Sequence, residues 1–203
     1  MQFGPNEAAP VRRAVFLDRD GVLNESIVRN RKPYPPATLA EFKLFPDASP
    51  ALARLKAAGF LLLVVTNQPD VARRTQSREI VETMHARMAA ALPIDDFFVC
   101  WHDDAGRCGC RKPLPGLLYS AADRYEVDLR GSFLIGDRWR DIDAGAAAGC
   151  RTVLIDREYD ERQPQYGPDC RTASITAAAD WILANGAAMP SKLSDNFWSD
   201  SPF

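Results

Sequence analysis

Residues 12–22 read RRAVFLDRDGV, and this stretch decides how the rest of the chain is read. Ala14 to Leu17 is a short, wholly apolar run that stops at an acid. That is the form of a buried strand, so Arg12 to Asp18 is taken as the first one. The form recurs in Phe60 to Thr66 (FLLLVVT), Asp96 to His102 (DFFVCWH), Ser132 to Asp137 (SFLIGD) and Arg151 to Asp156 (RTVLID). Helical patterns fill the gaps. Asp47 to Ala58 has Asp47 placed to cap it, Leu52 and Leu55 on one face, and Gly59 to stop it. Ser77 to Leu92 sets Ile80, Val81, Met84 and Met88 on one stripe behind an N-capping Ser77. Pro113 to Tyr125 opens on proline, Asp141 to Ala148 ends at Gly149, and Ala173 to Ala184 closes the series. Gly21 to Pro46, with Asn24, Asn30, Pro33, Pro35 and Pro36, is expected to be mostly loop.

Strands alternating with helices imply parallel pairing. The expected fold class is therefore α/β: a three-layer Rossmann-like sandwich around a mostly parallel sheet of about five or six strands. In such sheets ligands sit beyond the carboxyl ends of the strands. Here those ends are Asp18, Thr66, His102 and Asp137. One domain is expected over residues 11–186, with residues 1–10 and 187–203 as tails; Phe197, Trp198 and Phe203 give the second tail something to dock with.

Composition narrows the function. At 203 residues, 46% hydrophobic and 26% charged, the chain can bury a sizeable core and is neither fibrous nor wholly disordered. A net charge of −2 gives no basic excess, so neither nucleic acid nor a membrane surface is an expected partner. The longest apolar run, Phe60 to Val65, is too short to span a bilayer, and the polar start containing Glu7 is not a secretory signal. A cytoplasmic monomer acting on a small molecule is expected. Five cysteines are too few and too uneven for a disulfide framework. Cys100, His102, Cys108 and Cys110 crowd together and read as metal ligands; three thiolates and an imidazole suit a closed, structural zinc site. Cys150 and Cys170 have no partner pattern and read as inert packing residues, and His85 reads as a surface position on its helix.

Four short patterns carry the chemistry. Asp18 and Asp20 flank Arg19, and two carboxylates so close repel unless a hard cation such as Mg²⁺ relieves them; alone, the pattern also fits a strand running into an acidic turn. Thr66-Asn67-Gln68 offers a hydroxyl and amides suited to phosphoryl oxygens, or simply ends a strand. Arg111-Lys112-Pro113 puts two cations before a helix N-terminus, where an anion gains dipole support, although such pairs are usually solvated. Gly136-Asp137-Arg138, followed by Asp141, ends another strand in acid. Trp101 and Trp139 flank these patterns, and Arg73-Arg74 and Arg29-Arg31-Lys32 lie close in sequence; packing and solvated surface are the default readings, with Arg29-Arg31-Lys32 also placed to reach a substrate anion.

Taken in order, DRDGV, TNQ, RKP and GDRWRD resemble the four motifs of the haloacid-dehalogenase-like phosphatases, over roughly Ala14 to Asp156. Cys100-x-His102 with Cys108-x-Cys110 running into Arg111-Lys112-Pro113 resembles a narrower group with a zinc loop. That group contains the D-glycero-D-manno-heptose 1,7-bisphosphate phosphatases and the histidinol-phosphate phosphatases. The resemblance implies Asp18 as nucleophile, Asp20 as acid and base, and Thr66 and Lys112 as holders of the phosphoryl group. It implies Mg²⁺ on the Asp18 side chain, the Asp20 backbone carbonyl and the Asp137 side chain, with Asp141 in support and Asn67 and Arg111 toward substrate. Neither Gly21 to Phe60 nor Pro69 to Arg111 has room for a separate cap, so an open site is expected.

The substrate reading divides. The gap of Asp103 to Arg107 resembles the histidinol-phosphate enzymes, while Arg111-Lys112-Pro113-x-Pro115-Gly116 resembles the heptose enzymes. Pro69-Asp70-Val71 departs from the Ser-Gly-Ile common there. A sugar bisphosphate is favoured and histidinol phosphate is the alternative. A non-catalytic zinc module leaves the four ordered patterns unexplained. A phosphomutase would carry a cap, and a dehalogenase would not need the Mg²⁺ pattern.

Overall fold

The computed structural model describes residues 11–186; the two expected tails lie outside the described residues. Eight strands and six helices follow in the order β1 (Ala14–Leu17), β2 (Ile27–Arg29), β3 (Lys32–Tyr34), α1 (Ala48–Ala57), β4 (Leu61–Asn67), α2 (Pro69–Ala72), α3 (Arg78–Ala91), β5 (Asp96–Cys100), α4 (Gly116–Tyr125), β6 (Phe133–Gly136), α5 (Trp139–Ala148), β7 (Arg151–Ile155), β8 (Cys170–Thr172) and α6 (Ile175–Asn185). Six strands form one parallel sheet in the order β5-β4-β1-β6-β7-β8.

The period-two alternation of a strand divides the core in two. Val15, Leu17, Leu62 and Val64 face α1 and α6, where Leu52, Leu55, Ala178 and Ile182 pack. Ala14, Phe16, Leu63 and Val65 face the other way, against Leu117, Leu118 and Ala121 of α4 and Ala144 of α5. Each central strand is thus apolar on both faces and polar only at its end, which produces the three layers. β1 lies between β4 and β6, so the chain winds outward in both directions from it. The carboxyl ends of these three strands are the switch point where this architecture binds ligands. Among the described residues no helix is long and apolar enough to cross a membrane.

The sequence reading needs several corrections. The expected loop over 21–46 contains an antiparallel hairpin, β2 with β3, and no separate domain. Pro33 is tolerated there because a two-stranded ribbon has free edges. β8 and the short α2 were missed, because three and four residues carry too little periodicity. The third strand stops at Cys100 rather than His102, α4 starts after Pro115, and α5 starts at Trp139. Neither expected cap operates: Asp47 instead accepts from Thr176 Oγ1 at 3.0 Å, tying α1 to α6, and the Ser77 hydroxyl turns to Glu79. A side-chain cap forms on α6, where Ser174 Oγ accepts from the Ala177 amide at 3.2 Å. His85 is buried, not at the surface.

Gly145 lets α5 sit close on the sheet: a Cβ there would lie 2.6 Å from Thr152 Cγ2 and 3.2 Å from Leu134 Cβ. Overpacking of this kind costs ~1–3 kcal/mol. Alanine returns ~1 kcal/mol of helix propensity. With two contacts hit at once the clash should win, so Gly145→Ala should melt several degrees below the parent in a thermal denaturation. An unchanged or raised midpoint would show that α5 has room to lift.

Candidate active site

Asp18 continues β1, its amide bonded to the Ile135 carbonyl of β6 at 2.9 Å, so its carboxylate is fixed at the sheet's upper edge. Lys112 comes from the far side, from the loop before α4. Its ammonium reaches Asp18 Oδ1 at 2.9 Å, Asp141 Oδ1 at 2.5 Å and the Val65 carbonyl at 2.8 Å. All three donors of a buried ammonium are therefore used. Burial pulls Lys112 down, but the carboxylates of Asp141 and Asp18 outweigh it and hold its pKa above the ordinary lysine range.

Asn67, at the end of β4, does something the sequence did not reveal. Its Nδ2 donates to the Lys112 carbonyl at 3.0 Å and its Oδ1 accepts from the Lys112 amide at 3.1 Å. This reciprocal pair clamps the lysine backbone to β4, although Asn67 also lines the pocket expected to take substrate. Thr66 is buried, and its hydroxyl accepts from Gln68 Nε2 at 3.0 Å.

The acids fall into two sets. Carboxylate oxygens of Asp18, Asp137 and Asp141 come within 4.8 Å of one another. Burial raises the Asp18 pKa to about 6; Lys112 opposes this, and Asp141 and Asp20 add to it. Asp137 is pushed up further by burial and by the charges of Asp18 and Asp141. Neither of its carboxylate oxygens has a hydrogen-bond partner of good geometry, a rare state for a buried acid. Three carboxylates against one ammonium leave a formal excess of two negative charges, which one divalent cation would neutralise. Hard oxygen donors suit Mg²⁺, so the residues fit the ion that the sequence implied. Gly21 keeps this space clear: its φ is +82°, and a Cβ would lie 1.8 Å from Asp137 Oδ2.

Asp20 stands apart. Its carboxylate takes the Arg19 guanidinium edge-on, with four N···O separations from 2.9 to 3.2 Å, plus Asn24 Nδ2 at 2.9 Å and Gln68 Nε2 at 3.1 Å. So held, its carboxylate is outside the cluster of Asp18, Asp137 and Asp141.

Between these groups and solvent lies a cavity of 290 Å³. Its lining includes Pro33 and Tyr34 of the hairpin, Ser26 just before it, and Arg73, Arg111 and Arg140. Asp104 gathers these arginines, at 2.6 Å from Arg73, 2.9 Å from Arg111 and 4.0 Å from Arg140. Arg73, read as plain surface, belongs to the pocket. Arg31 instead turns away to the Glu158 carbonyl at 3.0 Å. Trp139 stacks with Arg162 and Arg140, and Trp101 under Arg78, so both act in packing.

Beside the pocket, Cys100 Sγ lies 3.8 Å from Cys108 Sγ and 3.3 Å from Cys110 Sγ; His102 Nδ1 lies 3.6 and 3.4 Å from Cys100 and Cys110. A tetrahedral ion with Zn–S and Zn–N bonds of ordinary length would give edges of about 3.8 and 3.5 Å. The four side chains fit such an ion. Burial and the neighbouring thiols push Cys110 up to about 12, so a bound metal would displace a proton there.

A family model described as haloacid dehalogenase-like hydrolase matches residues 25–149. A D-glycero-beta-D-manno-heptose-1,7-bisphosphate 7-phosphatase of Pseudomonas putida is 34% identical over 160 residues, covering 76% of this chain and 89% of that protein. The enzyme of the same name from Salmonella typhi is 32% identical and covers 89% of this chain and 94% of its own length. The crystal structure of D,D-heptose 1,7-bisphosphate phosphatase from B. bronchiseptica, complexed with magnesium and phosphate, superposes with a TM-score of 0.73 at 31% identity, over 85% of this chain and 99% of that one.

The crowded acids predict a stability effect separable from turnover. A cation that binds only the folded state at a hundred times its dissociation constant adds ~2.7 kcal/mol. Mg²⁺ should therefore raise the melting temperature of the metal-free protein by ~5–10 °C. Asp137→Asn should remove most of that rise, and an equal rise in the variant would place the ion elsewhere.

Proposed function

The chain belongs to the haloacid dehalogenase-like hydrolases, and on that premise we propose that it is a Mg²⁺-dependent phosphomonoester hydrolase acting on a sugar bisphosphate such as D-glycero-D-manno-heptose 1,7-bisphosphate. The observation that carries the reading is the buried Asp18–Lys112–Asp141 bridge beside Asp137, whose oxygens meet no hydrogen-bond donor in good geometry, with Asp18 and Asp137 just past the carboxyl ends of adjacent strands. The two heptose bisphosphate relatives cover 76% and 89% of the chain and favour that substrate over histidinol phosphate.

Asp18 is the nucleophile. Its carboxylate attacks phosphorus, the ester oxygen leaves, and an aspartyl-phosphate replaces one hard displacement by two easier ones. Lys112 keeps Asp18 ionised and aimed, and with Thr66 faces the transferring oxygens. Bound between Asp18, the Asp20 carbonyl and Asp137, Mg²⁺ would neutralise charge on the phosphoryl group. Asp141 orients Lys112 and the start of α5, its Oδ2 accepting from the Arg138 amide at 3.1 Å. Asp20 protonates the leaving oxygen and later takes a proton from the attacking water. The guanidinium rim of Arg73, Arg111 and Arg140 suits the second, unreacting phosphate. Cys100, His102, Cys108 and Cys110 would hold zinc, which would fix the loop that delivers Arg111 and Lys112, the first and second residues after Cys110.

Asp18→Asn should abolish hydrolysis while keeping the fold; measurable steady turnover would remove it as nucleophile. Asp20→Asn should lose ~10²–10⁴-fold on the sugar phosphate. The loss should be far smaller on p-nitrophenyl phosphate, whose leaving group needs no proton. Equal losses would make Asp20 a structural acid.

Purified protein should hold about one zinc per chain, and Cys108→Ser should lose it. The sheet does not depend on this loop, so the far-UV circular dichroism should persist. Activity should fall by ~10²-fold through misplaced Lys112. Full activity in a zinc-free variant would show that Asn67 and the partners of the ammonium position the lysine without the metal.

A further inference from the structure

One buried titratable side chain has no part in the chemistry above. His85 sits in α3, 8% exposed, and its Nε2 lies 3.3 Å from Nη1 of Arg19, which is itself 0% exposed. A guanidinium has donors only, so His85 must accept, which fixes it as the neutral ring protonated on Nδ1. Burial and the Arg19 charge, opposed by Asp20, lower its pKa to about 4, in keeping with that state. The ring is held in turn by Phe97, stacked at 4.8 Å between centroids and 22° between planes.

Arg19 is a planar fork with three corners. Nε and Nη2 grip both oxygens of Asp20, and Nη2 also meets Gln68 Oε1 at 3.3 Å. Among the described residues, the partner of Nη1 is His85. A fork held at one edge can still swing about that edge, and the third contact stops it. We propose that His85 is a positioning residue for the general acid: it fixes the plane of Arg19, and Arg19 fixes the aim of the Asp20 carboxylate. This rests on the phosphatase reading and on Asp20 as its acid. The chain of contacts runs from α3, through a fully buried guanidinium, to the acid beside the nucleophile. His85 touches no reacting atom.

A matched pair of polar variants tests this. In His85→Gln the side-chain amide oxygen can occupy the place of Nε2, whereas in His85→Asn it falls one bond short of Arg19. Each is assayed with heptose 1,7-bisphosphate and with p-nitrophenyl phosphate. His85→Asn should lose ~10-fold or more in kcat on the sugar phosphate with KM little changed, and under threefold on the aryl ester. His85→Gln should recover to within threefold on both. In an Asp20→Asn background, His85→Asn should cost nothing further on the sugar phosphate. Equal losses on the two substrates, no loss on either, or a Gln variant no better than Asn would overturn the assignment and leave His85 as packing. An Asp20→Asn parent that loses equally on both substrates would instead refute Asp20 as the acid. Unsubstituted protein inactive on both would refute the phosphatase reading itself.

Discussion

One buried ammonium organises this molecule. Lys112 Nζ joins Asp18 at the end of β1, Asp141 in the first turn of α5 and the Val65 carbonyl of β4. Those three segments are far apart in sequence. A charge at 2% exposure is tolerable only with every donor met, and removing one partner of such a buried set costs several kcal/mol. The interaction therefore specifies geometry more than it adds stability. It requires the loop after Cys110 to cross the sheet's edge, and it requires α5 to begin where it does.

That crossing explains why the Cys/His cluster lies where it does. Cys110 and Lys112 are separated by one residue, and Cys100 ends β5, the strand beside β4. A metal joining Cys100, His102, Cys108 and Cys110 would tie the loop's departure to its return. Asn67 then fastens the Lys112 backbone to β4 from the other side. The lysine is fixed at its backbone by a side-chain amide and at its tip by two carboxylates and a carbonyl. Little freedom remains for its charge to wander from Asp18 and Asp141.

How much was legible in the sequence follows from the same physics. Strands apolar on both faces must end where the burial ends. FLD, VVT and LIGD therefore announced both the sheet and the residues at its functional edge. The thiol cluster was legible because its ligands are near neighbours in the chain. What escaped depends on contacts between distant segments. Nothing around Asn67 signals that its partner is the backbone of Lys112. His85 occupies a helix whose polar neighbours Glu82 and Arg87 suggest exposure, and only the fold brings Arg19 against it. The hairpin of β2 and β3 hid behind prolines, which mark loops in general but are permitted at the free edges of a two-stranded ribbon.

The two aspartates of DRD illustrate how neighbouring positions acquire opposite surroundings. β1 ends at Leu17, and the chain bends at Arg19 before the turn that starts at Gly21, so Asp18 and Asp20 do not share a strand face. The Arg19 guanidinium meets the Asp20 carboxylate at 2.9 Å. One acid is thereby left among other acids, where burial and like charge raise its pKa to about 6 and a cation is wanted. The other is surrounded by donors from Arg19, Asn24 and Gln68. A nucleophile must be charged and aimed, and a proton carrier must be held close without joining the ion. On the proposed roles, a single arginine separates the two acids, and the buried His85 behind it joins Asn24 and Gln68 in setting where the Asp20 carboxylate points.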